Sequence, residues 1–143
     1  MNPAIAAEDT HGRVDVVIPA KAEWVAVARL TVAAVASRLH FSVEDIDDVK
    51  LAIAEACTNS IQHAGAAATI AISCEVTGDE LRITVRDRGF GVRLESVGET
   101  GFKEDGRTEE LGVFLIRALM DSVEYRVDNR EGTELVMVKR VAA

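Results

Sequence analysis

The sequence predicts an α+β domain in which a largely antiparallel sheet is covered on one face by helices. Segments that alternate apolar and polar residues come in pairs joined by short turns, which is typical of antiparallel hairpins. Between these pairs lie segments whose apolar residues recur at helical spacing. The chain has 143 residues, of which 48% are hydrophobic, so it is long enough for one domain with a substantial core.

The first half of the chain is predicted to contain one strand and two helices. Residues 1–12 show no periodicity, so we expect a flexible N-terminus ahead of a strand at 13–19, which Pro19 ends. Ser42 has the residue type of an N-cap for a helix over 43–64. Its core-facing residues are expected to be Ile46, Val49, Ile53, Cys57 and Ile61. An earlier helix at 22–39 is indicated by apolar residues at Trp24, Val27, Leu30, Ala34 and Leu39.

The second half is predicted to contain two hairpins separated by a loop and a helix. Residues 68–87 alternate on both sides of the turn TGDE, with Ile70, Ile72, Cys74, Val76, Leu81, Ile83 and Val85 facing inward. Residues 88–110 are rich in glycine and charge, which indicates a long loop of the kind often used for function. A helix at 111–123 and a closing hairpin around the turn REGT complete a single domain over residues 13–143.

Composition and charge argue against several classes of function. Net charge is −8 and no run of Lys and Arg is longer than a dipeptide, so the basic patch typical of nucleic-acid-binding proteins is missing. No apolar run approaches the roughly 18 residues of a membrane-spanning helix, and the N-terminus does not have the pattern of a signal peptide. Cys57 and Cys74 have no metal-ligand spacing and are expected to be buried thiols. We therefore expect a cytoplasmic protein that binds neither nucleic acid nor membrane.

A column of polar side chains on the second helix is the first candidate site. Glu55, Asn59 and His63 are spaced by four within LAIAEACTNSIQHAG, so they lie on one helix face. A carboxylate on a rigid helix can accept the proton of an attacking hydroxyl, and a carboxamide oxygen can bind Mg²⁺. Because Mg²⁺ keeps several waters and uses phosphate ligands, one acid and one amide suit a Mg-nucleotide site. This helix alone fits a solvent-facing polar stripe better.

The segment RDRGFGV, directly after an alternating strand, is the second candidate site. Asp87 would end that strand as a fixed carboxylate, able to accept a hydrogen bond from an exocyclic amino group such as that of adenine. Gly89 and Gly91 would let a ring or a phosphate approach the backbone closely. Asp and Gly are also ordinary turn residues, so this DxGxG pattern is a weak signal by itself.

Two further motifs contain a glycine near a predicted element boundary. Gly112 stands at the predicted start of the helix at 111–123, where free N–H groups favour phosphate, although it also fits an ordinary helix-entry residue. Gly132 and Thr133 open the last strand, where the threonine hydroxyl could reach a base or a phosphate through water. Taken alone, this segment is a hairpin turn.

In this order, the four motifs resemble the N, G1, G2 and closing G-T boxes of the GHKL (Bergerat-fold) ATPases. More closely, the chain resembles the anti-sigma factor serine kinases of bacterial partner-switching systems. EACTNSIQHA is similar to that family's N box, IPAKAEWVAVARLTVAAVASRL to its first strand-helix segment, and LGVFLIRALMDSVEY to its G2 helix and the following strand. The resemblance covers residues 14–140 and implies a Bergerat-type two-layer sandwich with a mixed, mostly antiparallel sheet. The alternative is a chance coincidence of four motifs in an ordinary α+β domain.

The resemblance also implies roles for individual residues. Glu55 matches the general base, and Asn59 matches the ligand of the Mg²⁺ that accompanies ATP. Residues 92–110 match the ATP lid, in which Arg107 is the candidate phosphate contact, and His63 is expected to be structural. The other matches are with pocket residues: the adenine-binding acid Asp87, the pocket glycines Gly89 and Gly91, the phosphate-facing Gly112 and the adenine-side Thr133.

Expected partners and activity follow from the same resemblance. Such an enzyme sequesters an alternative sigma factor, phosphorylates a serine of a STAS-type anti-anti-sigma factor, and acts as a homodimer. Glu109 and Glu110 precede Gly112 where the family has a glycine-rich run, and their charge would repel a triphosphate. This departure favours the alternative of a nucleotide-binding switch without kinase activity. The ATPase domain of a histidine kinase is a poorer match, because the chain leaves no room for a phospho-accepting helical hairpin.

Overall fold

The computed structural model describes residues 11–63, 68–87, 104–128 and 132–142 of the chain, with side chains omitted at 63, 104–110, 127 and 128. Strands and helices follow one another in nearly the predicted order. A short 3₁₀ turn at Ala22–Trp24 precedes the first helix. The elements are β1 (His11–Pro19), α1 (Val25–Ala36), α2 (Val43–His63), β2 (Thr69–Thr77), β3 (Glu80–Asp87), α3 (Glu104–Leu119), β4 (Ser122–Asp128) and β5 (Gly132–Arg140).

The strands form a 5-stranded sheet in the order β1-β2-β3-β5-β4. Each of these pairings is antiparallel, so the predicted α+β class with a mostly antiparallel sheet is confirmed. The tight turn between β2 and β3 contains Gly78 at φ +60°, a conformation that glycine adopts without side-chain strain. Because β5 lies between β3 and β4, the last residue of β3, Asp87, pairs with Thr133 near the start of β5. The topology thus joins two predicted site residues that are far apart in sequence.

One face of the sheet is buried against the helices. The predicted inward residues of β2 and β3 are all buried, from Ile70 to Val85. On α2, the side chains of Val49, Ile53 and Cys57 lie fully in the same core, with Ile46 and Ile61 partly buried beside them. The predicted N-cap is also confirmed, because the Ser42 hydroxyl accepts the backbone N–H of Asp45 at 3.0 Å. The core is therefore largely aliphatic, as the low aromatic content requires.

The first helix presents a different face to the core from the one that its large side chains suggest. Trp24, Val27 and Leu30, which indicated the helix, are 43%, 38% and 70% exposed. The buried side is formed mainly by small residues, Ala28, Val32 and Ala36. Small side chains let the helix axis approach its neighbours closely, whereas the helix is apolar on nearly every side, so periodicity alone did not identify the buried face.

Three elements have boundaries that differ from the prediction. The helix predicted at 22–39 spans only Val25–Ala36, after the 3₁₀ turn. The first strand begins at His11, because His11 and Gly12 pair with Thr77 and Val76, so these residues do not belong to a flexible N-terminus. The helix predicted at 111–123 instead begins at Glu104 and ends at Leu119, so residues 104–110 are helical rather than part of a loop. Acidic residues open this helix, where the helix dipole favours negative charge. The predicted loop residues 88–103 lie outside the described part of the chain.

The two cysteines are free and buried, as predicted. Burial raises the pKa of the Cys57 thiol to about 12 and that of Cys74 to about 11, so both stay protonated at neutral pH. In the part of the chain that the structure describes, no helix has the length and apolarity needed to cross a membrane.

Candidate functional site

The buried polar residues of the described chain are concentrated in one place. Asn59, Ser60, Asp87 and Thr133 are 6%, 6%, 3% and 5% exposed, and all of them line a narrow cleft between α2 and the sheet. The apolar walls of the cleft are Ala56, Val85 and Leu135, and Tyr125 lines it from β4. Burying polar side chains is unfavourable unless they gain hydrogen bonds, so their clustering indicates a site for a polar ligand.

The position of the cleft follows from the register of the sheet. Asp87 and Thr133 are direct partners on β3 and β5, and their side chains face the helices. The last turns of α2 pass over this pair and bring Asn59 and Ser60 to the opposite wall. The Asn59 side-chain nitrogen, Nδ2, is buried and has no hydrogen-bond partner among the described residues. A buried amide group without a hydrogen-bond partner lowers the stability of the fold. The Asn59 amide is therefore suited to a ligand that supplies the missing partner.

At Gly112, α3 comes close to α2 beside the cleft residue Asn59. A Cβ atom placed on Gly112 would lie 2.7 Å from Oε2 of Glu55 and 3.1 Å from Oδ1 of Asn59. The two side chains predicted to act as base and metal ligand therefore converge on one point. Glycine lets the backbone of α3 approach them this closely without displacing the Glu55 carboxylate. Gly112 was expected at the helix start, but it lies inside α3, and its observed role is to leave space beside Glu55 and Asn59.

Behind the cleft, on the other face of the sheet, an ion-pair cluster ties three strands together. Glu134 accepts hydrogen bonds from Arg86 and, at 3.1 Å, from Arg126. The pKa of Glu134 is lowered, mainly by the hydrogen bond from Arg86. Arg86 and Glu134 are neighbours of Asp87 and Thr133 along β3 and β5, so this cluster supports the strand pairing on which the site depends.

The structure brings most of the predicted site residues together. Asn59, Asp87 and Thr133 share the cleft, and Glu55 and Gly112 lie close to each other beside Asn59. Gly89 and Gly91 lie outside the described residues, as does most of the predicted lid. Arg107 is in the first turns of α3, but its side chain is not described, and the same holds for His63 at the end of α2.

The two hydroxyl-bearing cleft residues Ser60 and Tyr125 were not identified as site residues from the sequence. Ser60 directly follows Asn59, and a serine inside a helix gives no pattern of its own. Tyr125 is an aromatic residue in an alternating strand and is most simply interpreted as a core residue. Only the topology, which places β4 beside β5, shows that Tyr125 reaches the same cleft as Asp87.

Comparison with known proteins agrees with this geometry. The model of the histidine kinase-like ATPase domain matches residues 18–139. A serine-protein kinase RsbW from Halalkalibacterium halodurans is 39% identical over 134 residues, which are 88% of this chain and 82% of the relative. The chain belongs to the RsbW family of histidine kinase-like ATPases. The RsbW from Oceanobacillus iheyensis is also 39% identical, over 90% of this chain and 87% of its own length.

A solved structure shows the same fold. It contains the RsbU and RsbW domains of a Mycobacterium tuberculosis protein and superimposes with a TM-score of 0.65 over 90% of this chain at 17% identity. The match spans 32% of that longer chain. The family and fold predicted from the four motifs are therefore confirmed. Membership of the RsbW family implies ATP binding and favours a serine-protein kinase over a switch without catalysis.

Proposed function

We propose that this protein binds Mg·ATP in the cleft between α2 and the sheet and transfers the γ-phosphate to a serine of a STAS-type anti-anti-sigma factor. In its free state it would hold an alternative sigma factor inactive. The observation that carries the kinase proposal is the convergence of Glu55 and Asn59 beside Gly112, next to a cleft that contains buried Asp87 and Thr133. The names of the RsbW relatives support the assignment to protein serine kinases.

Within the cleft, Asp87 and Thr133 suit an adenine base. A carboxylate accepts a hydrogen bond from the exocyclic amino group of adenine, whereas guanine presents an oxygen at that position and is repelled. Val85, Leu135 and Ala56 provide apolar walls against which a purine ring can pack. This arrangement predicts that GTP binds at least tenfold more weakly than ATP, because one unfavourable polar contact costs about 1.4 kcal/mol.

Beside Gly112, Asn59 suits a hard cation that accompanies the triphosphate. Its carboxamide oxygen is a ligand type that Mg²⁺ prefers, and its unpartnered nitrogen can donate a hydrogen bond to a phosphate oxygen. Among the described residues no cluster of three or more His, Cys, Asp or Glu is present, which agrees with a cation that takes its other ligands from water and phosphates. When bound, Mg²⁺ would neutralise phosphate charge and orient the triphosphate.

Glu55 is the proposed general base. It lies one helical turn before Asn59, is half-buried, and its Oε2 faces the point where the two side chains converge. There it can accept the proton of the substrate serine hydroxyl as the serine oxygen bonds to the γ-phosphorus and the bond to the β-phosphate oxygen breaks, which releases ADP. The proton remains on the carboxyl until it is released to solvent.

A homodimer formed through β1 is the proposed assembly. β1 is an edge strand, and Val14 and Val17 on it are 41% and 66% exposed. If two β1 strands paired antiparallel about Val14, Arg13 of each copy would lie opposite Asp15 of the other. Val14→Lys should therefore reduce the mass measured by sedimentation equilibrium. Val43→Lys, at an apolar residue 76% exposed on α2, is the control that should leave the mass unchanged.

The proposed location is the cytoplasm, where the sigma factor and ATP are found. With a net charge of −8, the chain is proposed to act on proteins without contacting nucleic acid.

Transfer of γ-labelled phosphate from ATP to proteins of a soluble extract of the source organism tests the kinase. Glu55→Gln should abolish labelling of a small protein while ATP binding persists, because the carboxamide cannot accept the proton. Glu44→Gln, at an exposed acid of the same helix, is the matched control and should transfer at the wild-type rate. Normal ATP binding without any labelled protein would contradict the kinase proposal and leave a nucleotide-dependent switch.

A further inference from the structure

The cleft contains two hydroxyl groups beyond the polar residues that the proposed function uses. Ser60 on α2 and Tyr125 on β4 line the same cleft as the paired Asp87 and Thr133. The proposed chemistry uses Asp87 and Thr133 to recognise the base and Glu55 and Asn59 at the phosphates. It assigns nothing to the two hydroxyls, although both belong to the lining of the site.

The buried Ser60 differs from an ordinary helical serine in the hydrogen bonding of its hydroxyl. Serine and threonine inside helices commonly return their hydroxyl to a backbone carbonyl one turn earlier. Thr58, two residues away, does so, with its hydroxyl donating to the carbonyl of Ala54 at 2.9 Å. The structure shows no hydrogen bond from the Ser60 hydroxyl to another described residue, although Ser60 is only 6% exposed. Its hydroxyl remains available for a partner in the cleft.

Tyr125 supplies the outer wall. It is half-buried, stands beside Leu135 on the neighbouring strand, and lines the same cleft as Ser60. A tyrosine places a hydroxyl at the end of a rigid apolar ring, which suits a pocket that holds an aromatic ring and reads its polar edge. Tyr125 already takes part in an interaction within the protein, so a bound base would add to that interaction or replace it.

We propose that Ser60 and Tyr125 are specificity-determining residues of the base pocket, which donate hydrogen bonds to ring nitrogens of the purine. This inference rests on the proposed nucleotide site. Asp87 accepts from an amino group and therefore distinguishes amino from keto substituents, but a hydrogen-bond acceptor cannot detect ring nitrogens. Those nitrogens are acceptors and need donors, which the two hydroxyls supply. The ligand class is a purine nucleotide with both an exocyclic amino group and intact ring nitrogens.

The test combines single-atom changes in the protein with single-atom changes in the ligand. Dissociation constants for ATP and for its 1-deaza, 3-deaza and 7-deaza analogues are measured by titration calorimetry. The variants are Ser60→Ala and Tyr125→Phe, each of which removes one oxygen. Thr58→Ala is the matched control, because it removes an exposed hydroxyl from the same helix, and Ser60→Thr is the conservative variant that retains the donor.

Each of the two deletions should weaken ATP binding by about threefold to tenfold, as expected for one lost hydrogen bond. At least one deaza analogue should bind the wild type more weakly than ATP does. In the variant, ATP and this analogue should bind equally, because the hydroxyl that contacts the ring nitrogen is already missing. Thr58→Ala should bind like the wild type and Ser60→Thr nearly so. In phosphate transfer, KM for ATP should rise while kcat stays unchanged.

The outcomes separate this inference from the proposed function. Suppose that the wild type binds ATP, and that Ser60→Ala and Tyr125→Phe bind ATP and every analogue with wild-type dissociation constants. The inference is then overturned and the proposed function stands. The same conclusion follows if the deletions weaken ATP and all three analogues equally, since that pattern reports a structural role. If the wild type does not bind ATP at all, the proposed nucleotide site is overturned and this inference with it.

Discussion

The interface between α2 and the sheet contains polar groups at both ends. At one end these groups are paired with one another, whereas at the other end one of them lacks a partner in the described part of the chain. Near the start of α2, the ammonium of Lys139 donates to the carbonyl of Leu119 at 2.6 Å and lies 3.8 Å from both Asp45 and Asp48. Near its end, Asn59 leaves a buried nitrogen without a partner among the described residues. The first cluster is complete within the protein, whereas the second is incomplete.

This difference indicates which cluster serves stability and which serves binding. A polar group whose partners come from the same chain contributes to stability without any ligand. A polar group without partners lowers stability until a ligand completes it, and natural proteins retain such groups mainly at functional sites. The same helix and strands therefore hold a structural cluster at one end and a binding cluster at the other.

Gly112→Ala is expected to have a large effect on catalysis and a small effect on stability. The new Cβ would lie 2.7 Å from Oε2 of Glu55, so the carboxylate must move, which its flexible side chain allows. Displacing the base by about 1 Å should lower kcat about 100-fold. The free energy of unfolding should change by no more than about 1 kcal/mol, because alanine favours the helix and offsets the crowding.

Gly12→Ala is the control for this change, since no atom lies within 4 Å of a Cβ at Gly12. It should leave kcat unaltered. A wild-type kcat for Gly112→Ala would show that the contact with Glu55 is not needed for transfer.

Lys139→Met tests the structural end of the comparison. The variant keeps the apolar stem but removes the charged donor, which is only 12% exposed, and leaves Asp45 and Asp48 close together without a cation. The free energy of unfolding should decrease by about 1–3 kcal/mol, measured by urea denaturation. The affinity of the folded variant for ATP should not change, and a large loss of affinity would show that the two ends are coupled.

Asn59→Leu should act in the opposite way to Lys139→Met, because it should increase stability and abolish ATP binding. Leucine has a similar shape and removes the unsatisfied amide, so the free energy of unfolding should increase by about 1 kcal/mol. Mg-dependent ATP binding and phosphate transfer should be lost, because the carboxamide oxygen is missing. A variant less stable than the wild type would mean that the amide is satisfied in solution and that the contrast between the two ends is weaker than the structure indicates.

The smallest expected effect is that of Glu134→Gln, on the open face of the sheet. The hydrogen bond from Arg86 lowers the folded-state pKa of Glu134, so the pair stabilises the fold above the ordinary carboxyl pKa. That stabilisation is lost as the pH decreases through the lowered folded-state value. The variant should therefore be slightly less stable at pH 7, and the difference should shrink below about pH 4. Urea unfolding at a series of pH values checks this, and a constant difference would contradict it.

Much of the fold could be predicted because local patterns and tertiary packing agree. The alternation in β2 and β3 identified every buried apolar residue of that hairpin, and Ser42 identified the start of α2. The prediction was wrong where the local pattern was ambiguous. Helix α1 is apolar on several sides, so Leu30 was included with the periodic residues although it is 70% exposed. The start of α3 was missed because residues 104–110 are polar and give no apolar period.

The sequence by itself determined the class of fold, the family and the residue types of the site, because these depend on local spacing and on motifs that occur in a fixed order. Only the tertiary structure decided which residues share the cleft. The insertion of β5 between β3 and β4 pairs Asp87 with Thr133 and brings Tyr125 to the same wall. The close crossing of α3 over α2 explains the glycine at 112. Contacts of this kind join residues distant in the chain, and no local pattern encodes them.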